Sequence, residues 1–330
     1  MRARTVAWTI TGLLLAAILL YVALRGVDLG QLARTITSAN PWLVTGCCVL
    51  TTVNLAFRAA RWRILLNGEG RVAYPTVFWA TAAGYFGNNF LPARAGELVR
   101  TFLITTASQL DTAYVLATAL AERVADAIVL VLVASIALMV FPAQSGFLAG
   151  AARPFAIAGL IGAIVLIVLP RTGGWPHRVI ARTPMPPALR RLADTAVDGA
   201  IRGLRTFHGG AALSRFLALT AVIWTLDAFI AIVAAAAIGI DLAVPISLLL
   251  LASLGLASAL PSSPGYVGIY QFVAVTVLEP FGYTRADAIA LVVVMQATSY
   301  GVNALWGSIG VVRYRRSVRE PANVGGPIGR

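Results

Sequence analysis

Residues 72–97 read VAYPTVFWATAAGYFGNNFLPARAGE. Positions 72–91 are apolar and long enough to cross a bilayer core, which takes roughly 20 helical residues. The segment then runs into Asn88-Asn89-Phe90-Leu91-Pro92-Ala93-Arg94-Ala95-Gly96-Glu97, which is polar and broken by Pro and Gly. Further along, Leu260-Pro261-Ser262-Ser263-Pro264-Gly265 separates two more apolar stretches, 242–260 and 266–281, in the same manner. Whether these interrupted segments cross or turn back decides how the chain is threaded.

The surroundings make the solvent plain. The 330 residues are 59% hydrophobic and 12% charged, against about 45–50% and 25% in a soluble domain. This composition excludes a water-soluble fold, a disordered chain and a disulfide scaffold, and it indicates an all-α polytopic membrane protein. Apolar stretches run over 6–24, 42–57, 72–91, 113–141, 155–169, 213–238, 242–260, 266–281 and 286–312. Every one of the 26 basic residues is Arg, against 13 acids. Most of the excess sits at 58–71, 171–215 and 313–330, flanking apolar spans, so it reads as positive-inside topology rather than nucleic-acid binding.

If all Arg-rich stretches and Arg2/Arg4 lie on the cytoplasmic side, the chain crosses an even number of times between Arg71 and Arg171. Three apolar segments lie there, and 72–91 is the one that fails as a simple span. The same arithmetic holds between Arg215 and Arg313, where 242–260 and 266–281 form the interrupted pair. The two halves then look like an inverted repeat whose broken helices enter from opposite sides and meet near the midplane. About six full transmembrane helices with two re-entrant hairpins, both termini inside, satisfy the charges; eight full spans are the alternative. One integral membrane domain is expected over 1–312, with halves 1–170 and 213–312, a cytoplasmic Arg-rich linker at 171–212 and a basic, disordered tail at 313–330. Residues 6–24 are too long for a signal-peptide core and should remain as the first helix. Cys47 and Cys48 are adjacent and have no CxxC or Cys/His partners, so no metal site follows.

Charges at bilayer depth cost roughly 2.5–3.5 kcal/mol each on insertion scales, which makes them the best functional markers. Arg94, Glu97 and Arg100 follow the first Pro break, and Glu122-Arg123-Val124-Ala125-Asp126 lies inside the 113–141 run. Glu122 and Asp126 share a helix face while Arg123 is turned away. Three Arg against three carboxylates permit a paired buried network, whose plainer reading is helix–helix glue. Arg94 offers a fork to phosphate, balanced by Glu97, while Asn88 and Asn89 add neutral donors and acceptors. Around the second break, Ser262, Ser263, Gly265, Gly268, Tyr270 and Gln271 complete the candidate headgroup cavity. Arg58, Arg61 and Arg63, with Trp62 among them, read as interface anchors or headgroup contacts. Asp227 lies mid-span in 213–238 and should not face lipid, while Tyr300 and Asn303 in the last span read as packing residues first. No catalytic residue is assigned: GxSxG, HExxH and the P-loop are absent, so no cofactor and no ATP use are expected.

Taken in order, Arg58-Ala-Ala-Arg61-Trp62-Arg63, Pro92-x-Arg94-x-Gly96-Glu97, Glu122-Arg123-x-x-Asp126 and Leu260-Pro261-x-x-Pro264-Gly265-x-x-Gly268 resemble the transmembrane region of lysylphosphatidylglycerol synthases. In that family an acidic residue often follows the second Gly; Gln271 stands there in this chain. The resemblance implies a flippase-like domain. In the full synthases it moves an aminoacylated phospholipid between leaflets while a soluble C-terminal domain makes that lipid. This chain ends soon after its last apolar stretch and is expected to lack that activity. Other relatives are associated with isoprenoid, hopanoid or polyprenyl-linked sugar lipids.

The expectation is therefore a lipid transporter of the cytoplasmic membrane, holding a polar or phosphorylated headgroup in a central cavity. Its partners would be anionic or polyprenyl-linked lipids, with a lipid- or glycolipid-synthesising enzyme as a further partner and no nucleic acid. The alternatives are an integral-membrane glycosyl- or phosphotransferase with Glu97 or Asp126 as base, and a non-transporting membrane partner of a synthase.

Overall fold

The computed structural model describes residues 16–91, 95–140, 175–183, 210–258 and 264–319, with Leu14 and scattered positions between 157 and 202. Among the described residues the elements are α1 (Ala16–Leu24), α2 (Leu29–Thr37), α3 (Pro41–Leu66), α4 (Tyr74–Phe90), α5 (Gly96–Ala107), α6 (Thr112–Val140), α7 (Trp175–Arg182), α8 (Gly210–Ala237), α9 (Val244–Ala257), α10 (Ile269–Leu278) and α11 (Arg285–Arg319). Short 3₁₀ turns precede and follow α10.

Local chemistry sets several starts. Asn40 accepts from the Trp42 and Leu43 N–H groups and Pro41 opens α3, a strong N-terminal combination. Asp28 does the same for α2, just after a 94° bend from α1. Helices α3, α8 and α11 are long and apolar enough to cross a membrane. Helix α6 is as long, at 29 residues, but carries Glu122, Arg123 and Asp126.

Two expectations on boundaries change. Arg58, Arg61 and Arg63 do not open a loop; α3 continues to Leu66, because Arg61 is neutralised by carboxylates of α6 and needs no water. Helix α11 likewise continues past residue 312 to Arg319, so the start of the expected tail is helical. The stretch 155–169, apart from Ile157, and most of the linker lie outside the described residues.

Two apolar clusters mark the ends of the bundle. One joins Ala59–Leu66 of α3, the start of α6 around Tyr114 and Val115, Phe216 of α8, and Val311 and Tyr314 of α11. The other joins Cys47 of α3, Leu130 and Ala134 of α6, Ile230–Ala235 of α8 and Ala288–Val294 of α11. Between them, near the middle of each long helix, sit Asn54, Asp126, Asp227 and Tyr300. The residues at 67–73, 108–111 and 313–319 come to the first end, where Arg202 bridges to Glu69 and Asp111.

The interrupted segments form two hairpins. Helices α4 and α5 hold 17 and 12 residues, about 26 and 18 Å at ~1.5 Å per residue. Both pack on the first cluster, through Val77, Ala80 and Ala83 on one arm and Leu103 and Ile104 on the other. Helices α9 and α10 hold 14 and 10 residues, about 21 and 15 Å, and both pack on the opposite cluster. The 3₁₀ turn Pro264–Tyr266 of this second hairpin reaches α4 of the first. Gly96 lets the first hairpin close: a Cβ there would lie 1.9 Å from the Gly84 carbonyl oxygen.

Candidate functional site

The charged residues between the clusters form two assemblies that meet at the Tyr85 ring. The larger is an alternating chain of charge, Asp126–Arg61–Glu122–Arg100–Glu97–Arg123. Arg61 grips Asp126 with both terminal nitrogens, at 2.6 and 2.8 Å, and donates to Glu122 Oε1 at 2.9 Å and to Thr220 Oγ1 at 3.2 Å. Arg100 donates to Glu122 Oε2 at 2.9 Å, pairs with Glu97 through Nε and stacks on Trp62 at 4.4 Å. Arg123 completes the chain with Glu97 at 2.8 Å. The Arg61 side chain is fully buried, and those of Arg100 and Glu122 are 2% exposed.

The second assembly is small. On α3, Asn54, Arg58 and Arg61 recur at i, i+4 and i+7 and so share a face; on α8, Thr220, Trp224 and Asp227 do the same. Arg58 pairs with Asp227 at 2.5 Å and donates to the Tyr85 hydroxyl at 3.1 Å, with its guanidinium near the rings of Tyr85 and Trp224. Asn54 Nδ2 donates to the other Asp227 oxygen at 2.6 Å. The side chains of Arg58 and Asp227 remain 14% and 20% exposed, and both line a cavity.

That cavity has a volume of about 270 Å³. The first half of the chain lines it with Asn54, Arg58, Tyr85, Asn88, Asn89 and Arg123. The second half contributes Trp224, Asp227, Tyr266, Tyr270, Gln296, Tyr300 and Asn303. Its edge at the second hairpin is built by backbone at positive φ, which side-chain-bearing residues rarely adopt: Gly265 at 72°, Tyr266 at 58° and Gly268 at 89°. The Gly265 carbonyl accepts from Gln296 Nε2 at 2.8 Å and from the Tyr300 hydroxyl. Gln271 accepts from the Gly268 N–H at 2.7 Å and donates to Gln296 Oε1 at 2.7 Å. A Cβ on Gly268 would lie 2.1 Å from the Ala16 carbonyl oxygen, which ties this turn to α1.

The residues singled out in the sequence therefore separate. Arg58, Asn88, Asn89, Arg123 and Tyr270 line the cavity, and Gly265 borders it. Glu97, Arg100, Glu122, Asp126 and Arg61 are in the charge chain behind it. Arg61 is thus neither an interface anchor nor a headgroup contact, since no solvent or lipid reaches it. Gln271 and Gly268 brace the second turn, while Arg63 donates to the Val72 carbonyl at 2.8 Å and has no place in the cavity. Arg94, Ser262 and Ser263 lie outside the described residues. Asn54, Tyr85, Trp224, Asp227, Tyr266, Gln296, Tyr300 and Asn303 also line the cavity and were not assigned to it from the sequence; the signal available was the stripe spacing on α3 and α8 and one carboxylate inside a 28-residue apolar helix.

Glu97 and Asp126 do not fit the role of base in a transferase acting in this cavity, because neither lines it. Asp227 is the carboxylate that does line it among the described residues.

Comparison with known proteins gives two results. The profile of the family described as Lysylphosphatidylglycerol synthase TM region matches residues 9–307. The glycosyltransferase AglD of Haloferax volcanii is 24% identical over 332 aligned residues, covering 90% of this chain and 53% of its own length. The chain thus spans about half the length of that curated relative.

Proposed function

The chain belongs to the lysylphosphatidylglycerol synthase transmembrane-region family, and from that premise we propose that it carries the polar headgroup of a membrane lipid between leaflets of the cytoplasmic membrane. The observation that carries the reading is the cavity at mid-length of the bundle, which opposes charged and amide side chains from both halves of the chain. A headgroup crossing hydrocarbon must exchange its water for fixed polar partners, since each unsatisfied group costs several kcal/mol there. Arg58, Asp227, Arg123, Asn88 and Asn89 would supply those partners, and the lipid tails would remain outside. Two short hairpins from opposite ends, re-entrant in this reading, leave six full spans and give each leaflet its own movable wall. The Arg-rich end and both termini face the cytoplasm. The sequence holds no P-loop, so a gradient or consumption of the delivered lipid would set direction.

The test is leaflet exchange of acyl-labelled lipids in proteoliposomes, comparing wild type with Arg58→Gln and Arg123→Gln. Protein-dependent exchange that falls at least about ten-fold in both folded variants, equal to ~1.4 kcal/mol, supports the reading. Rates equal to protein-free vesicles across phospholipids and glycolipids would sink it.

The name of the AglD relative favours a second reading, in which the chain takes part in glycosyl transfer to or from a lipid. Asp227 is then the base at hand in the cavity. Glycosylated product formed by the purified chain from a sugar donor and a lipid phosphate, and lost in Asp227→Asn, would support it over transport.

A further inference from the structure

We propose that the Arg58–Asp227 pair couples lipid movement to protons: an anionic headgroup takes Arg58, Asp227 takes a proton, and the two cross together. This deepens the transport reading above and rests on it.

The first observation is where the pair sits. Arg58 and Asp227 line the cavity with 14% and 20% of their side chains exposed, so a ligand in it can touch both. Arg61 and Arg100 hold two carboxylates each, and neither lines the cavity. Arg123 does line it, but its partner Glu97 keeps Arg100 if Arg123 turns to a ligand. Asp227 has no second ionic partner among the described residues.

The second observation is that each member of the pair has another hold. Arg58 donates to the Tyr85 hydroxyl at 3.1 Å. Its guanidinium also lies 5.7 and 5.5 Å from the Tyr85 and Trp224 ring centres, an attraction that needs no carboxylate. Asp227 accepts from Asn54 Nδ2 at 2.6 Å, a bond that a neutral carboxyl can keep. The two side chains can therefore part while each stays in place.

Once parted, they behave differently. A phosphodiester meets the Arg58 fork as Asp227 does. Asp227 is then a carboxylate four-fifths buried beside an incoming anion. It neutralises by taking a proton from water onto the oxygen that Arg58 has left, and gives it back when the anion leaves. A guanidinium has no such exit, because it stays charged at any working pH. By linkage, a proton on Asp227 favours the anion by the factor with which the anion favours the proton. With no anion bound, Arg58 holds Asp227 ionised, so the proton does not ride alone. The other charged or titratable lining groups are Arg58 of α3, Tyr85 of α4, Arg123 of α6, Tyr266 of the second turn, Tyr270 of α10 and Tyr300 of α11. Tyrosine and arginine titrate at roughly pH 10 and above. Arg61 and Asp126 act on Asp227 from outside the lining and are paired with each other.

The probe is trace acyl-labelled phosphatidylglycerol in proteoliposomes of the full chain, under a pH gradient of about one unit. At equilibrium the label should stand about ten-fold higher in the leaflet on the alkaline side, the ratio set by one proton per anion. Protein-free vesicles should show no such bias over the same time, and uncharged monoglucosyl diacylglycerol should reach equal leaflets. In detergent, phosphatidylglycerol should bind wild type with uptake of about one proton per lipid from weak buffer. Asp227→Asn should lose that uptake and, at whatever rate it exchanges, reach equal leaflets; Asp227→Glu should keep both effects. Label that ends even in wild type despite the gradient would overturn coupling and leave transport standing. Binding with proton uptake but no exchange would overturn transport and keep the proton-linked anion site. Proton uptake that persists in Asp227→Asn would overturn the assignment to Asp227. Glycerophosphoglycerol that takes up the proton while the lipid does not would move the anion to a soluble source and overturn the lipid assignment. Phosphatidylglycerol that neither binds nor exchanges would overturn the inference outright.

Discussion

The two polar assemblies lie side by side in the middle of one bundle and use the same residue types, yet their surroundings differ. In the charge chain Arg61 is sealed from solvent and contacts two carboxylates and a threonine. In the cavity pair, Arg58 and Asp227 keep one ionic partner each and reach open space. Removing one member of a sealed pair leaves an uncompensated charge where nothing can solvate it. Removing one member of the cavity pair leaves a charge that water or a ligand can meet. The first arrangement suits structure and the second suits exchange of partners.

The strongest way to break this distinction is Arg61→Ala. Glu122 would keep Arg100 but Asp126 would lose its ionic partner, so a loss of about 3–5 kcal/mol is expected. Thermal unfolding in detergent and the yield of monodisperse protein measure it. An unfolding midpoint within a degree of wild type would mean that the chain of charge does not hold the helices together.

Next in size is the hairpin contact that positions Glu97 and Arg100. In Gly96→Ala the new methyl would meet the Gly84 carbonyl, and overpacking of this kind costs about 1–3 kcal/mol. The first hairpin should splay, and a cysteine pair placed across α4 and α5 should crosslink less readily. Unchanged crosslinking and stability would show that the close approach is dispensable.

Arg58→Gln combined with Asp227→Asn carries the opposite signature. Both charges leave together and both positions keep hydrogen-bonding groups, so stability should change by less than about 1 kcal/mol. Lipid exchange should nevertheless fall about ten-fold or more, ~1.4 kcal/mol on the barrier. A double variant that unfolds easily, or one that transports normally, would erase the contrast between the two assemblies.

The sequence carried the architecture further than the site. Residues 88–97 and 260–265 were visible as breaks because Pro and Gly interrupt apolar runs, and the described helices end and begin around those points. The end of α3 was not visible, because Arg58, Arg61 and Arg63 look like a loop until their partners are known. Those partners, Glu122, Asp126 and Asp227, lie 61 to 169 positions away, and nothing local in a single sequence announces such pairing. Asp227 could be read only as a carboxylate turned away from lipid, for the same reason: it takes on a role once α3 places Asn54 and Arg58 against it. Glu97 and Arg94 were read together from their spacing, whereas the observed partners of Glu97 are Arg100 and Arg123.

A third ionic cluster, outside the bundle core, extends the comparison to solvent and carries the smallest effect. His177 of α7 lies 3.1 Å from Asp194 through Nδ1 and 3.1 Å from Asp198 through Nε2. The Asp194 hydrogen bond, aided by the charges of both carboxylates, raises the imidazole above its ordinary value of 6.5. A group raised on folding contributes its stabilisation fully below the unfolded value and loses it as pH climbs through the folded one. Helix α7 should therefore stay docked on the segment bearing Asp194 and Asp198 below about pH 6.5, and its amides should exchange faster as pH rises above that. The cluster is open to water, so salt should weaken it, while the sealed chain of Arg61 should be indifferent. Hydrogen exchange corrected for intrinsic pH dependence, at low and high salt, with His177→Ala as reference, measures this. If α7 in wild type and in His177→Ala opens with the same pH and salt dependence, the histidine does not hold the segment.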